Sequence, residues 1–566
     1  MSHELDVAII GGGVAGAYCG WRLTQQGGSK KRPAVGLFEY SDRIGGRLYT
    51  KHLPGMPHVA AELGGMRYIP DSQPMVSNLI DALGLPTQDF LMGNPAKGKD
   101  GEPLKNKNGT PVVDDSNHIM YLRGQHLRMK DQSDPAKAPY KLNWSECGKT
   151  VNDLQVYAMN LLVPNNQNLT LEQWMETPVF GQPLYTYGFW NLMSRTLSAE
   201  AYAFMRDAGG YDANVANASA VTNLPATEYA SDTGFKSISS GYQRLPEELV
   251  AAFEKAGGSL YKNHRLTSIQ REGEHYRLEF RRTITEAVEI KLNDKDHGQK
   301  YETHDDPRHP APIVVKAKSI ILAMPRRSLE LVKWEGWNQP GVSDMLGSVL
   351  MQHAFKLLLG YKSPWWRNAL GLVAGRSITD LPVRQVYYFG TEEEQKHGEK
   401  GNQNSLMMAS YNDISTVPFW KGLEHGPAFQ GGEAPKGHET AVPLSDCIAT
   451  KAMVESAHQQ ILAVHNLVDI DQPYTAVYHN WSEDPYGGGW HEWKAGYRYD
   501  LLMPKIRQPV AHERVFICGE AYSNNQGWVE GSLQTAEHVL LKHFDLQWPD
   551  YLSDIAPDQR STVLGP

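Results

Sequence analysis

Gly11, Gly13 and Gly16 stand in the spacing G-x-G-x-x-G, between the apolar run Val7–Ile10 and a helical pattern that starts near Val14. Glycines so placed receive a pyrophosphate. The first permits a tight turn, the second lets backbone approach the phosphates, and the third lets helix and strand pack closely. The phosphates then lie at the helix N-terminus, beside Val14 and Ala15, where free N–H groups and the dipole attract anions. A second strand pattern, AVGLFEY over 34–40, ends in Glu39, 23 residues after Gly16. An acid at that point accepts hydrogen bonds from ribose hydroxyls and disfavours a 2′-phosphate. Strand, helix and acid together predict a dinucleotide site rather than an ordinary glycine turn, without choosing between NAD and FAD. The next stretch, SDRIGGRLYT (41–50), offers Gly45 and Gly46 for close passage beside a ligand. Its Arg43 and Arg47 are cations for a second phosphate or a flavin edge, or else members of a surface loop.

These residues need a large scaffold. A chain of 566 residues exceeds one ordinary domain, so two or three are expected. With 41% hydrophobic and 21% charged residues it has the makings of a large core, and 14 Trp and 27 Tyr allow aromatic-lined pockets. Net charge is −9 and SKKR (29–32) is the one basic block, which argues against a nucleic-acid partner. Cys19, Cys147, Cys447 and Cys518 are far apart in sequence and form no C-x-x-C, so neither a metal site nor a disulfide framework is expected. The N-terminus lacks a basic n-region, and no run reaches the roughly 20 apolar residues of a membrane span. A cytoplasmic protein without membrane association is the expectation, with secretion of a processed form left open.

Six separated stretches resemble the FAD-dependent flavin amine oxidase family, and within it the L-amino-acid oxidases. They are AIIGGGVAGAYCGWRL, DRIGGRLYT, AELGGMRYIP (61–70), GYQRLPEEL (241–249), AKSIILAMPRRSLEL (317–331) and RVFICGEAYSNNQGWVEGSLQTAEHVL (514–540). The resemblance implies an α/β (mixed α+β) fold with a discontinuous Rossmann-like FAD domain over 1–70, 236–330 and 511–566. A mixed-sheet substrate domain would take 71–119 and 331–510, and a helical domain 120–235. Residue patterns agree independently. IILAMP is a continuous apolar run suited to a buried parallel strand. RVFICGE is another, ending in Gly519 and Glu520 at the carboxyl edge where ligands bind. Leu533, Ala536, Val539, Leu540 and Phe544 have helical spacing. LTLEQWMET and LSAEAYAFMRDAGGYDANVAN are helix candidates, with N-caps at Thr170, in a capping box with Gln173, and at Ser198. The charged stretch 282–312 reads as a solvated excursion between strands.

The resemblance also implies roles. FAD would bind non-covalently, since EDPYGGGWHEWKAG lacks the cysteine that tethers it in monoamine oxidases. Its contacts would extend from the glycine turn to Gly46, Arg47, Gly65, Met66, Arg67, Leu266, Gly519, Glu520, Gly527, Trp528 and Val529. Arg67 would hold a substrate carboxylate bidentately; the bland alternative is pairing with Glu62. Tyr411 would be the second carboxylate partner, with Tyr387 and Tyr388 as rivals. Lys356 matches a buried lysine that holds a water at the flavin, against a snorkelling surface lysine. Trp528 would wall the pocket, the Gly527 carbonyl would accept from the substrate amine, and Trp490 is a candidate for the opposite wall. His353 and His491 read as structural. Asp207 and Asp212 are candidates to receive a Lys or Arg side chain, while the aromatic supply suits large side chains or broad specificity. The activity implied is oxidative deamination of an L-amino acid by O2, through hydride transfer from Cα, in a homodimer. Rival readings are a monoamine or polyamine oxidase, an amino-acid 2-monooxygenase, and a non-catalytic FAD-binding scaffold.

Overall fold

The computed structural model describes residues 4–25, 32–99, 101–106, 109–212, 216–225, 234–291, 297–432 and 447–565. One half of the molecule is, among the described residues, a nine-stranded sheet whose centre is five parallel strands. In spatial order these are Ser259–Tyr261, Val35–Phe38, Glu4–Ile10, Ile313–Leu322 and Val515–Ile517. Ala8, Ile9, Ile320, Ile321 and Leu322 are fully buried, as strands covered on both faces must be. The helices Val14–Thr24, Arg244–Lys255 and Val529–His543 pack on one face. Strands far apart in sequence are thus neighbours, with Glu4 opposite Lys316. The Cys19 and Cys518 thiols, distant in sequence, come to 4.0 Å apart in the core and are free.

The stretch 282–312 is more regular than its composition suggests. The strand His275–Lys291 continues past the sheet and pairs antiparallel with His297–Asp305 in a long hairpin. β-forming Thr, Ile, Val and Tyr interspersed with charged residues suffice for a two-stranded ribbon.

The second half is a seven-stranded sheet in the order Thr475–Asn480, Ala354–Tyr361, Ser405–Asp413, Gln385–Thr391, Gly375–Thr379, Ile119–Leu122, Gln125–Arg128. All pairings are antiparallel except that of Gly375–Thr379 with Ile119–Leu122. Residues 119–128 therefore join this sheet, and the helical region begins after them, later than position 120. Helices Val151–Leu162, Leu171–Glu176, Phe189–Thr196 and Ala199–Ala208 form that region. Thr170 and Gln173 cap each other's backbone as a capping box, and Ser198 caps the helix at 199.

Candidate active site

A cavity of about 870 Å³ runs from the glycine turn to the edge of the seven-stranded sheet. It falls within the roughly 300–1,000 Å³ of cofactor and ligand sites. At one end Gly11 has φ +109°, and a Cβ there would lie 2.4 Å from the Ala323 carbonyl oxygen. Gly16 admits no side chain either, since a Cβ would meet the Gly11 oxygen at 1.9 Å. Gly11, Gly13, Val14 and Ala15 line the cavity, whereas Gly16 does not. Its contribution is the helix–strand contact alone. No side chain caps the helix that starts at Val14, and its first turn holds no acid. Glu39, in the wall, accepts from the Gly12 N–H at 2.6 Å and from Ser41. Gly45 and Gly46, both at positive φ, bring the 41–50 loop against Gly13. Arg43 is turned back into that loop, bonding the Gly46 and Leu48 carbonyls and lying over Tyr49.

Farther along, Arg47 pairs with Glu520 at 2.8 Å, and His491 donates its backbone N–H to the same carboxylate. The Gly527 N–H is a further donor, at 2.8 Å. Burial alone would raise the Glu520 carboxyl, but Arg47, His491 and the Gly527 amide outweigh it and hold the acid at about 2. Gly46, Arg47, Gly65, Met66, Arg67, Leu266, Gly519, Glu520, Gly527, Trp528 and Val529 all line the cavity. Buried polar atoms of lining residues, His491 Nε2 and Tyr242 Oη among them, have no hydrogen-bond partner among the described residues. A glycine cradle, an uncapped helix and orphaned polar atoms fit a bound dinucleotide.

At the other end Arg67 is 6% exposed, its guanidinium 4.5 Å from the Phe235 ring centroid and 5.1 Å from that of Phe90. Tyr411 lines the same space. It stands opposite Lys356 in strand register, with the ammonium 4.6 Å from its ring. Lys356 does not line the cavity. It lies behind the wall, donating to the Glu62 and Gly64 carbonyls at 3.2 and 2.6 Å. Burial pushes the Lys356 ammonium toward the neutral form and the neighbouring Glu62 carboxyl upward. Glu62 accepts from Thr50 Oγ1 and the Tyr242 N–H. Trp528 and Trp490 both face the cavity, and Trp490 is next to Gly527. Of the two rival tyrosines, Tyr388 bonds His465 and Ser377 inside the sheet, and Tyr387 bonds Tyr211.

Asp212 is not a substrate acid here. Arg384 pairs with it at 3.3 Å, Ser415 donates to it, and it lies off the cavity wall. Asp207 is likewise taken, by Tyr140 and Arg206. Asp207 lies in the last turn of the helix Ala199–Ala208 and Asp212 just beyond it, and buried carboxylates need partners. Besides Glu39, Asp71 and Glu520, the cavity is lined by Glu492, an acid that the sequence analysis does not nominate. Alternation along Trp490–Trp493 was the available signal, because it puts Glu492 on the face of Trp490 and His491 on the other. Glu530 was also missed; buried, it accepts from the Met75 and Val76 N–H groups and caps the helix Pro74–Ala82.

Comparison with known proteins agrees with this geometry. A family model described as flavin containing amine oxidoreductase matches residues 14–415. Aplysianin-A of Aplysia kurodai is 28% identical, over 96% of this chain and 90% of its own length. Achacin of Lissachatina fulica is 26% identical, over 96% and 94%. An L-amino-acid oxidase of Echis ocellatus is 21% identical, over 94% and 88%. Among solved structures, a putrescine oxidase bound to putrescine superposes with a TM-score of 0.58 at 17% identity, covering 96% of this chain and all of that one, a likeness of fold. With its cradle, its buried cavity and a family match across most of its length, the chain belongs to the flavin-containing amine oxidoreductases.

Proposed function

We propose that the protein is an L-amino-acid oxidase that binds FAD non-covalently and converts L-amino acids to 2-oxo acids, ammonia and H2O2. The observation that carries this reading is Arg67, a buried guanidinium fixed between two aromatic rings in the cavity wall. A simple amine gives such a group nothing to bind, whereas an α-carboxylate fits it bidentately.

The glycine turn and the N-terminus of the helix at Val14 would take the pyrophosphate, Glu39 the ribose, and Arg47, Glu520 and the 527–529 segment the rest of the cofactor. When bound, the flavin supplies the two-electron oxidation of the Cα–N bond, with O2 as final acceptor. The chain's own part is orientation. Arg67 and Tyr411 hold the carboxylate, and Trp490 and Trp528 exclude water and favour an uncharged amine. Lys356 ties down the 62–66 segment that leads into Arg67, and its lowered basicity suits it to hold or release a proton near neutral pH.

The test is an assay of peroxide release by the purified yellow protein across the twenty L-amino acids, their D-enantiomers and a set of simple amines. Peroxide with L-amino acids, and FAD released intact by acid, is the expected result. Signal with amines alone, or none, overturns the reading.

A further inference from the structure

Glu492 is charged chemistry in the cavity that the preceding reaction does not use. It sits on the strand Trp490–Trp493, which pairs with Val349–Gln352. His491 faces Glu520 on one side of this strand, so Glu492 and Trp490 share the other side. The carboxylate is 9% exposed and lines the cavity. One oxygen, Oε2, accepts from the Gln352 side-chain amide. Among the described residues no Lys, Arg or His forms an ion pair with it. Asn223, on the short helix Ala220–Asn223, shares the cavity wall and sets its side-chain amide beside Glu492.

A buried carboxylate without a cation is expensive to keep ionised. Burial, reinforced by the Asp413 carboxylate, pushes the Glu492 carboxyl up to about 8. A pocket whose ligand were wholly apolar would gain nothing from it. A ligand carrying its own cation would supply the missing charge and gain a charge-assisted hydrogen bond.

We infer that Glu492 receives the cationic head of the substrate side chain, so that the protein prefers basic L-amino acids (ornithine, lysine or arginine). This rests on the L-amino-acid oxidase reading. Arg67 would then hold the α-carboxylate and Glu492 the side-chain ammonium or guanidinium, with the Trp490 indole beside the aliphatic stem. The two acids that the sequence nominates for this task are already neutralised elsewhere.

The experiment compares kcat/KM of the holoenzyme for L-lysine, L-ornithine and L-arginine with that for L-norleucine, which has the shape of lysine without its cation. At least one basic substrate should exceed norleucine by about 100-fold, the factor lost with a buried charged hydrogen bond. Glu492→Gln keeps an amide-sized acceptor for Gln352, so a purely structural role would survive it. The inference requires that variant to lose about 100-fold more on its basic substrate than on norleucine. Norleucine or leucine matching the basic series in the native enzyme overturns the inference while leaving the oxidase reading intact. So does a variant that keeps the native preference. If the variant does not fold, the native lysine-to-norleucine ratio decides. Failure of every L-amino acid to bleach the flavin anaerobically overturns the oxidase reading, and this inference with it.

Discussion

The two ends of the cavity are built by different means. The nucleotide end is mostly backbone: Gly11 and Gly13 on one turn, Gly45 and Gly46 on the next, and a helix N-terminus between them. The end proposed for the substrate is lined by side chains from distant segments, Arg67, Tyr411, Trp490, Glu492 and Trp528. Backbone recognition is steric, and an added methylene breaks it outright. Side-chain recognition is graded, because losing one contact leaves the others in place. Changes at the first end should therefore abolish the flavoprotein, and changes at the second should alter its rates.

The largest effect expected is from Gly16→Val. Its Cβ would occupy the space of the Gly11 carbonyl, so yield and the flavin absorbance should both be lost. Recovery of a yellow protein with native melting temperature would show the cradle to be more plastic than described.

Next is Glu520, which belongs to both ends through Arg47 and the Gly527 amide. Its carboxyl sits at about 2, depressed from 4.5. A depressed folded-state value stabilises the protein above pH about 4.5, by about 3 kcal/mol. That stability should drain away as pH falls from about 4.5 toward about 2. Glu520→Gln should remove that component of the acid transition in chemical-denaturation curves taken between pH 6 and 3. An unchanged acid profile in the variant would remove Glu520 from the account.

Smaller, and confined to the substrate end, is Arg67→Gln. The flavin spectrum should remain while kcat/KM for L-amino acids falls by on the order of 100-fold, the loss of a charge-assisted pair. An equal loss of bound flavin would move Arg67 from the substrate to the cofactor side of the comparison. The smallest effect is expected from Phe90→Leu, which removes one of the two rings flanking that guanidinium. About 0.5–1 kcal/mol of orientation, a factor of roughly 2–5 in kcat/KM, is the scale of such a contact.

Legibility followed the same division. The glycine spacing, the strand that ends at Glu39 and the apolar runs at 320–325 and 515–518 are local patterns, and each stands where expected in the parallel sheet. Arg67, Tyr411, Trp490 and Trp528 were nominated through resemblance, and all four line the cavity. Lys356 was nominated too, yet it reaches the back of the 62–66 segment instead of the cavity itself. Asp212 was misread because a carboxylate's partner is invisible in sequence; Arg384, 172 positions later, takes it. For Glu492 the converse holds: local alternation puts it on the face of Trp490, but only the fold shows that no cation pairs with it among the described residues. The hairpin at 275–305 was underestimated because charge suggested irregular chain, while cross-strand pairing needs only interspersed β-formers.

By itself the sequence determined the nucleotide end, because turns, helix starts and buried strands are specified by residues a few positions apart. The tertiary structure decided which charged groups remain for a ligand. Burial and pairing are relations between distant segments, and a buried charge becomes functional or inert according to what the fold sets beside it.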